Sequence, residues 1–129
     1  DFIGSGHKLS RKLKYAKEHS VCKKIYCVCP VGMNAGIRYL EDNFPDIGFF
    51  VSKRLEKAVS DYYSDADDRK GTLQDLTNSY RLKKRIHYLG VGEAEALFSY
   101  KNRNIPNNVF PIFWGENDNN FEKFFRRRK

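Results

Sequence analysis

The run KIYCVCPV, residues 24–31, limits what this chain can fold into more than any other stretch. It is far shorter than the roughly 18 apolar residues of a membrane span, and it lacks the apolar–polar alternation of a half-exposed strand. That is the pattern of a strand buried on both faces of a parallel sheet, with Pro30 and Gly32 expected to close it. Upstream, Leu9, Leu13 and Ala16 recur at i, i+4 and i+7 among Lys and Arg, which predicts an amphipathic helix ending near Ser20. Downstream, Asn34 is placed to cap a helix through AGIRYLEDNF that Pro45 stops, and DIGFFVS reads as the next strand. Ser52 is then expected to cap a third helix carrying Leu55, Ala58, Val59 and Tyr62. A polar loop, SDADDRKG, should follow, with a shorter helix opening at Thr72 and carrying Leu73, Leu76 and Tyr80. Strand–helix units repeated at this spacing predict an α/β fold with a parallel sheet and helical crossovers. From Glu95 the sequence turns to aromatics, Asn and Pro, so residues 1–89 are expected to form the α/β core and 90–129 an irregular, aromatic-rich C-terminal extension packing on the same domain.

Composition narrows the function classes. At 40% hydrophobic and 15% aromatic, the chain has the material for a packed core and is not a disordered segment. The three cysteines, Cys22, Cys27 and Cys29, do not make a disulfide framework and lack the spacing of a zinc site. They read as core thiols suited to a reducing cytoplasm, with no membrane partner expected. The net charge of +8 is clustered: Lys8–Lys24, YRLKKRIH and the terminal KFFRRRK are basic, while acids collect in SDYYSDADDRK. Such a field suits a polyanion, either nucleic acid or a multiply phosphorylated small molecule, and equally suits a plain solubilising surface. Arg11, Lys12, Arg126, Arg127 and Arg128 are the candidate nucleic-acid contacts. Asp61, Asp65, Asp67 and Asp68 lack the glycine and terminal Glu of an EF-hand loop and read as a solvated loop.

The opening stretch DFIGSGHK poses the functional question. In open α/β sheets ligands sit beyond the carboxyl ends of strands, and a helix start offers unpaired backbone N–H groups and a positive dipole end. Gly4 and Gly6 would let backbone approach an anion, Ser5 adds a hydroxyl and Lys8 a charge in the first turn. Asp1, at the strand end, is placed to accept hydrogen bonds from a sugar diol or to hold a metal-bound water. The stretch matches neither the P-loop nor the dinucleotide fingerprint, so spacing alone leaves open a plain turn or a phosphate cradle. His7 could touch the phosphate or simply be solvated; His19 and His87 sit in no nucleophilic arrangement. In IPNNVFPIFW, Phe113 and Trp114 suit packing or base stacking, and Asn107 and Asn108 suit a turn or ligand recognition.

DFIGSG resembles the phosphoribosyl-diphosphate (PRPP) loop of type I phosphoribosyltransferases, in which an acid-ended strand leads through two apolar residues into a small-residue turn. The ending LGVGEAEALFSYKNRNIPNNVFPIFWGE resembles that of the phosphoribosyltransferase-like proteins of bacterial conflict and anti-phage systems. The resemblance implies that Asp1 is the catalytic residue, engaging the ribose hydroxyls, and that Phe2, Ile3, Gly4, Ser5, Gly6, His7 and Lys8 form the phosphate and ribose site. It further implies Mg²⁺ as cofactor, PRPP or a nucleotide as ligand, other defence-system proteins as partners, and displacement at the ribose anomeric carbon as the reaction. The first of the family's two acids would precede Asp1, so these residues are expected to be the C-terminal half of such a domain. Lys8 stands where many transferases carry Thr or Ser. The alternative is a basic nucleic-acid-binding module that keeps the scaffold without the chemistry.

Overall fold

The computed structural model describes residues 2–22, 24–82, 86–99 and 105–116. The chain forms two compact units, Asp1–Glu56 and Lys57–Lys129.

The first unit alternates strand and helix: β1 (Phe2–Ile3), α1 (His7–His19), β2 (Tyr26–Met33), α2 (Asn34–Asn43) and β3 (Gly48–Leu55). The three strands lie in sequence order and pair in parallel, in register Phe2↔Val31 and Tyr26↔Gly48 through to Met33↔Leu55. This is the expected α/β sheet with helical crossovers. Its core joins Ile3, Leu13, Cys29, Ile37, Leu40, Phe44 and Ile47, with Leu9, Cys27, Phe49 and Val51 packed against them. The apolar stripe of α1 thus meets the sheet as its periodicity predicts, and the helix ends where Ser20 N–H donates to the Ala16 carbonyl. Pro45 limits α2 in the same way, with Phe44 already out of helical conformation at φ −138°.

Three expectations about these strands change. β2 does not close at Pro30: the ladder to β3 runs through Cys29↔Val51 and resumes at Val31↔Lys53, stepping over Pro30, whose missing N–H it does not need. Nor is β2 buried on both faces throughout. Val31, Gly32 and Met33 are buried, but Tyr26 and Val28 are 60% and 79% exposed, because α1 and α2 pack on the side to which Cys27 and Cys29 point. Asn34 is the first residue of α2 rather than its cap, and its side chain donates to Glu56 Oε1. Of the thiols, Cys29 is buried, Cys27 half-buried and Cys22 exposed. Burial and the neighbouring Cys29 push the Cys27 thiol above its usual range.

Ser52 caps no helix. It lies within β3, and the helical spacing of Leu55, Ala58, Val59 and Tyr62 is overridden by pairing of β3 along β2. Residues 58–62 instead form turns that open the second unit. There, α3 (Ala66–Ser79) begins inside the stretch expected to be a polar loop, and Thr72 is interior to it. Asp67 and Asp68 occupy its first turn, where carboxylates oppose the positive helix end, and Arg69 Nε lies 2.7 Å from Asp65 Oδ1. A smaller core of Val59, Leu89 and Phe110 gathers Leu73, Tyr88, Ile112 and Phe113. The remaining described residues are the expected irregular segment, with 3₁₀ turns at Val91–Glu93 and Pro111–Phe113 and an isolated parallel bridge Ala96↔Val109.

Candidate functional site

The turn from β1 into α1 is assembled by two glycines on different elements. β1 ends at the buried Ile3, paired with Gly32. Gly6 then takes φ 80°, a left-handed conformation that favours glycine, and occupies the N-cap position of α1. A Cβ on Gly6 would lie 2.7 Å from the Gly36 carbonyl oxygen, and one on Gly36 would lie 1.8 Å from the Gly4 carbonyl oxygen. Backbone therefore packs on backbone between this turn and α2, and the small residues are the condition for that approach. Ser10 N–H closes the first helical bond onto the Gly6 carbonyl at 2.8 Å.

Among the described residues no side chain caps the helix start, and its first turn holds no acidic residue. The N–H groups of that turn and the positive dipole end are therefore not answered by a side-chain acceptor of α1. Ser5 is half-buried and Lys8 exposed beside them. His7 is exposed and stacks on Tyr39 of α2, ring centroids 4.7 Å apart and 21° from parallel. A cleft of about 390 Å³ opens beside β1, lined among others by Phe2, Ile3, Lys8, Lys12, Cys27 and Cys29. Phe2 through Lys8 are thus brought together, and Arg11 and Lys12 stand exposed on the next turn of α1. Asp1, Arg126, Arg127 and Arg128 lie outside the described residues.

Two residues that position this turn were not singled out by sequence. Gly36 had a faint signal, a glycine inside an otherwise helical pattern, NAGIRYL, where glycine is unfavourable by about 0.5–1 kcal/mol unless close packing requires it. Tyr39 had none, because its partner His7 is distant in sequence.

The second unit holds another unforeseen residue, Glu95. It is fully buried with φ 49°, and its carboxylate accepts Val59 N–H at 3.0 Å, Ser60 N–H at 2.7 Å and the Ser60 hydroxyl at 2.5 Å. Lys57 and Lys70 place ammonium groups 3.8 and 3.7 Å from Oε1. Burial alone pushes this carboxyl upward, but the Ser60 and Val59 hydrogen bonds and the Lys57 charge outweigh it and hold it below the usual carboxylate range. Three hydrogen bonds and two nearby ammonium groups engage the carboxylate locally, so Glu95 is a structural clamp on the turn at 59–60. The IPNNVFPIFW stretch is structural in the same sense. Asn108 Nδ2 donates to the Val91 carbonyl at 2.6 Å, and the buried Trp114 donates its indole N–H to the Val109 carbonyl at 3.1 Å.

Among the described residues no three His, Cys, Asp or Glu converge as metal ligands, and no helix is long and apolar enough to cross a membrane. A search of curated proteins returns no match. A family model described as PRTase-CE matches residues 1–127.

Proposed function

Since the chain belongs to the PRTase-CE family, a phosphoribosyltransferase-like family, we propose that it binds PRPP or a related ribose phosphate at the turn Gly4–Lys8. The observation that supports this most is the helix start itself: Gly6 in left-handed conformation at the carboxyl end of β1, with no side-chain cap on α1. A 5′-phosphate seated there would accept the first-turn N–H groups, the Ser5 hydroxyl and the Lys8 ammonium. Lys8 supplies a full charge where many relatives of this fold offer a hydroxyl. Asp1 would hold the ribose diol. In a transfer reaction the bond from the anomeric carbon to the diphosphate oxygen breaks as a nucleophile attacks that carbon, and positioning and charge stabilisation carry the catalysis. Mg²⁺ would neutralise the diphosphate when bound. The described residues assemble no ligand set for it. The setting proposed is bacterial anti-phage defence in the cytoplasm, on the strength of the resemblance of IPNNVFPIFW and its flanks.

Thermal unfolding of the whole chain with PRPP, ribose 5-phosphate, pyrophosphate or orthophosphate, each with and without Mg²⁺, tests the reading. PRPP and ribose 5-phosphate should raise the midpoint, and the combined Ser5→Ala and Lys8→Ala variant should lose that rise while unfolding normally without ligand. No rise with any ribose phosphate at saturation would overturn the proposal.

A further inference from the structure

The outer face of α1 carries a regular pattern of which ribose-phosphate binding uses only the first residue, Lys8. Lys8, Arg11, Lys12, Tyr15 and His19 follow one another at i, i+3, i+4, i+7 and i+11, a single stripe along the helix about 16 Å long at 1.5 Å per residue. All five are exposed, and Lys8, Arg11, Lys12 and Tyr15 line an open hollow of about 570 Å³. Tyr15, 64% exposed, stacks on His19 with centroids 4.0 Å apart and planes 17° from parallel. His19 Nδ1 donates to the Tyr15 carbonyl at 2.9 Å, which fixes the imidazole against the phenol ring. Among the described residues α1 pairs Lys17 with Asp46 at 2.7 Å, from the other side of the helix, half a turn from Lys8, Tyr15 and His19.

We infer that this stripe is a binding track for single-stranded nucleic acid. Three cations in succession match a phosphate backbone. The ordered two-ring platform at their end presents an aromatic surface on which an unpaired base stacks, and a duplex has no unpaired base to offer. Charge alone would suit any polyanion; the fixed aromatic pair within the same stripe selects for bases.

Fluorescence anisotropy of the whole chain with labelled oligo(dT), oligo(U) and a duplex, each of about 12 nucleotides, tests this at about 50 and 200 mM salt. The two single strands report whether the sugar matters. Single strands should bind more tightly than the duplex. Tyr15→Ala should weaken them roughly fivefold or more, while Tyr15→Phe keeps the affinity. Arg11→Ala with Lys12→Ala should flatten the salt slope by about 1.4. Unfolding midpoints of these surface variants should stay at the wild-type value. Equal affinity for duplex and single strand, or binding indifferent to Tyr15→Ala or to the Arg11 and Lys12 change, would overturn the inference. A failure here leaves the ribose-phosphate reading standing, because Ser5 is untouched by these variants and the turn is read with a different ligand.

Discussion

Gly36 and Gly71 are both interior to helices, yet they should answer alanine substitution with opposite signs. At Gly36 a new Cβ would fall 1.8 Å from a backbone oxygen that cannot rotate away, whereas at Gly71 it would meet nothing within 4 Å. Gly36→Ala should therefore cost about 3 kcal/mol or more and open the turn at Gly4–Gly6. Gly71→Ala should stabilise by roughly 0.5–1 kcal/mol through helix propensity and the unfolded-state entropy. Denaturant unfolding of both variants checks the pair. Gly36 also shows why part of the site escapes sequence: a helix glycine is visible, but the Gly4 carbonyl it admits lies more than thirty residues away and leaves no local pattern. Glu95 is a second case, since nothing in LGVGEAEALF distinguishes it from the neighbouring Glu93, which is exposed. Its folded-state pKa lies below the ordinary value of 4.5, so its stabilisation is complete above that pH and is lost as pH falls through the lower, folded value. Glu95→Gln should cost about 2–3 kcal/mol at neutral pH and flatten the acid limb of a stability–pH curve.

At the scale of elements, what was legible is what packing enforces locally. Leu9, Leu13 and Ala16 place α1, and the short apolar runs place β2 and β3. Pro45 ends α2. What failed is where two local patterns competed and a distant partner decided. Leu55, Ala58, Val59 and Tyr62 carry a helical period, yet β2 offers β3 a ladder as far as Met33↔Leu55, and Glu95 captures the Val59 and Ser60 N–H groups just beyond it. The start of α3 was hidden by its own composition, because acids that favour a helix N-terminus are also the residues of solvated loops. Charge reversal there discriminates the two: Asp67→Lys with Asp68→Lys should reduce far-UV helicity and lower the unfolding midpoint by a few degrees, about 1 kcal/mol in all. A polar loop would show neither effect.

For the whole molecule, the layout of Asp1–Glu56 was readable because parallel α/β units repeat strand, crossover and strand with little freedom of topology, and the family match over residues 1–127 agrees with it. The chemistry was legible only as a resemblance. DFIGSG leads into the turn and IPNNVFPIFW carried the sequence resemblance, but the Asn and Trp of the second stretch hold their own fold together, through the Val91 and Val109 carbonyls. The ligand claim therefore rests on a few atoms at one helix start. Isothermal titration of PRPP with Mg²⁺ into the wild-type chain and into Lys8→Ala tests it most directly. A single saturable site is expected in the wild-type chain, with an affinity lowered roughly tenfold in the variant, in keeping with loss of one charge-assisted phosphate contact. No heat of binding in the wild-type chain, or equal affinity in the two, would contradict it.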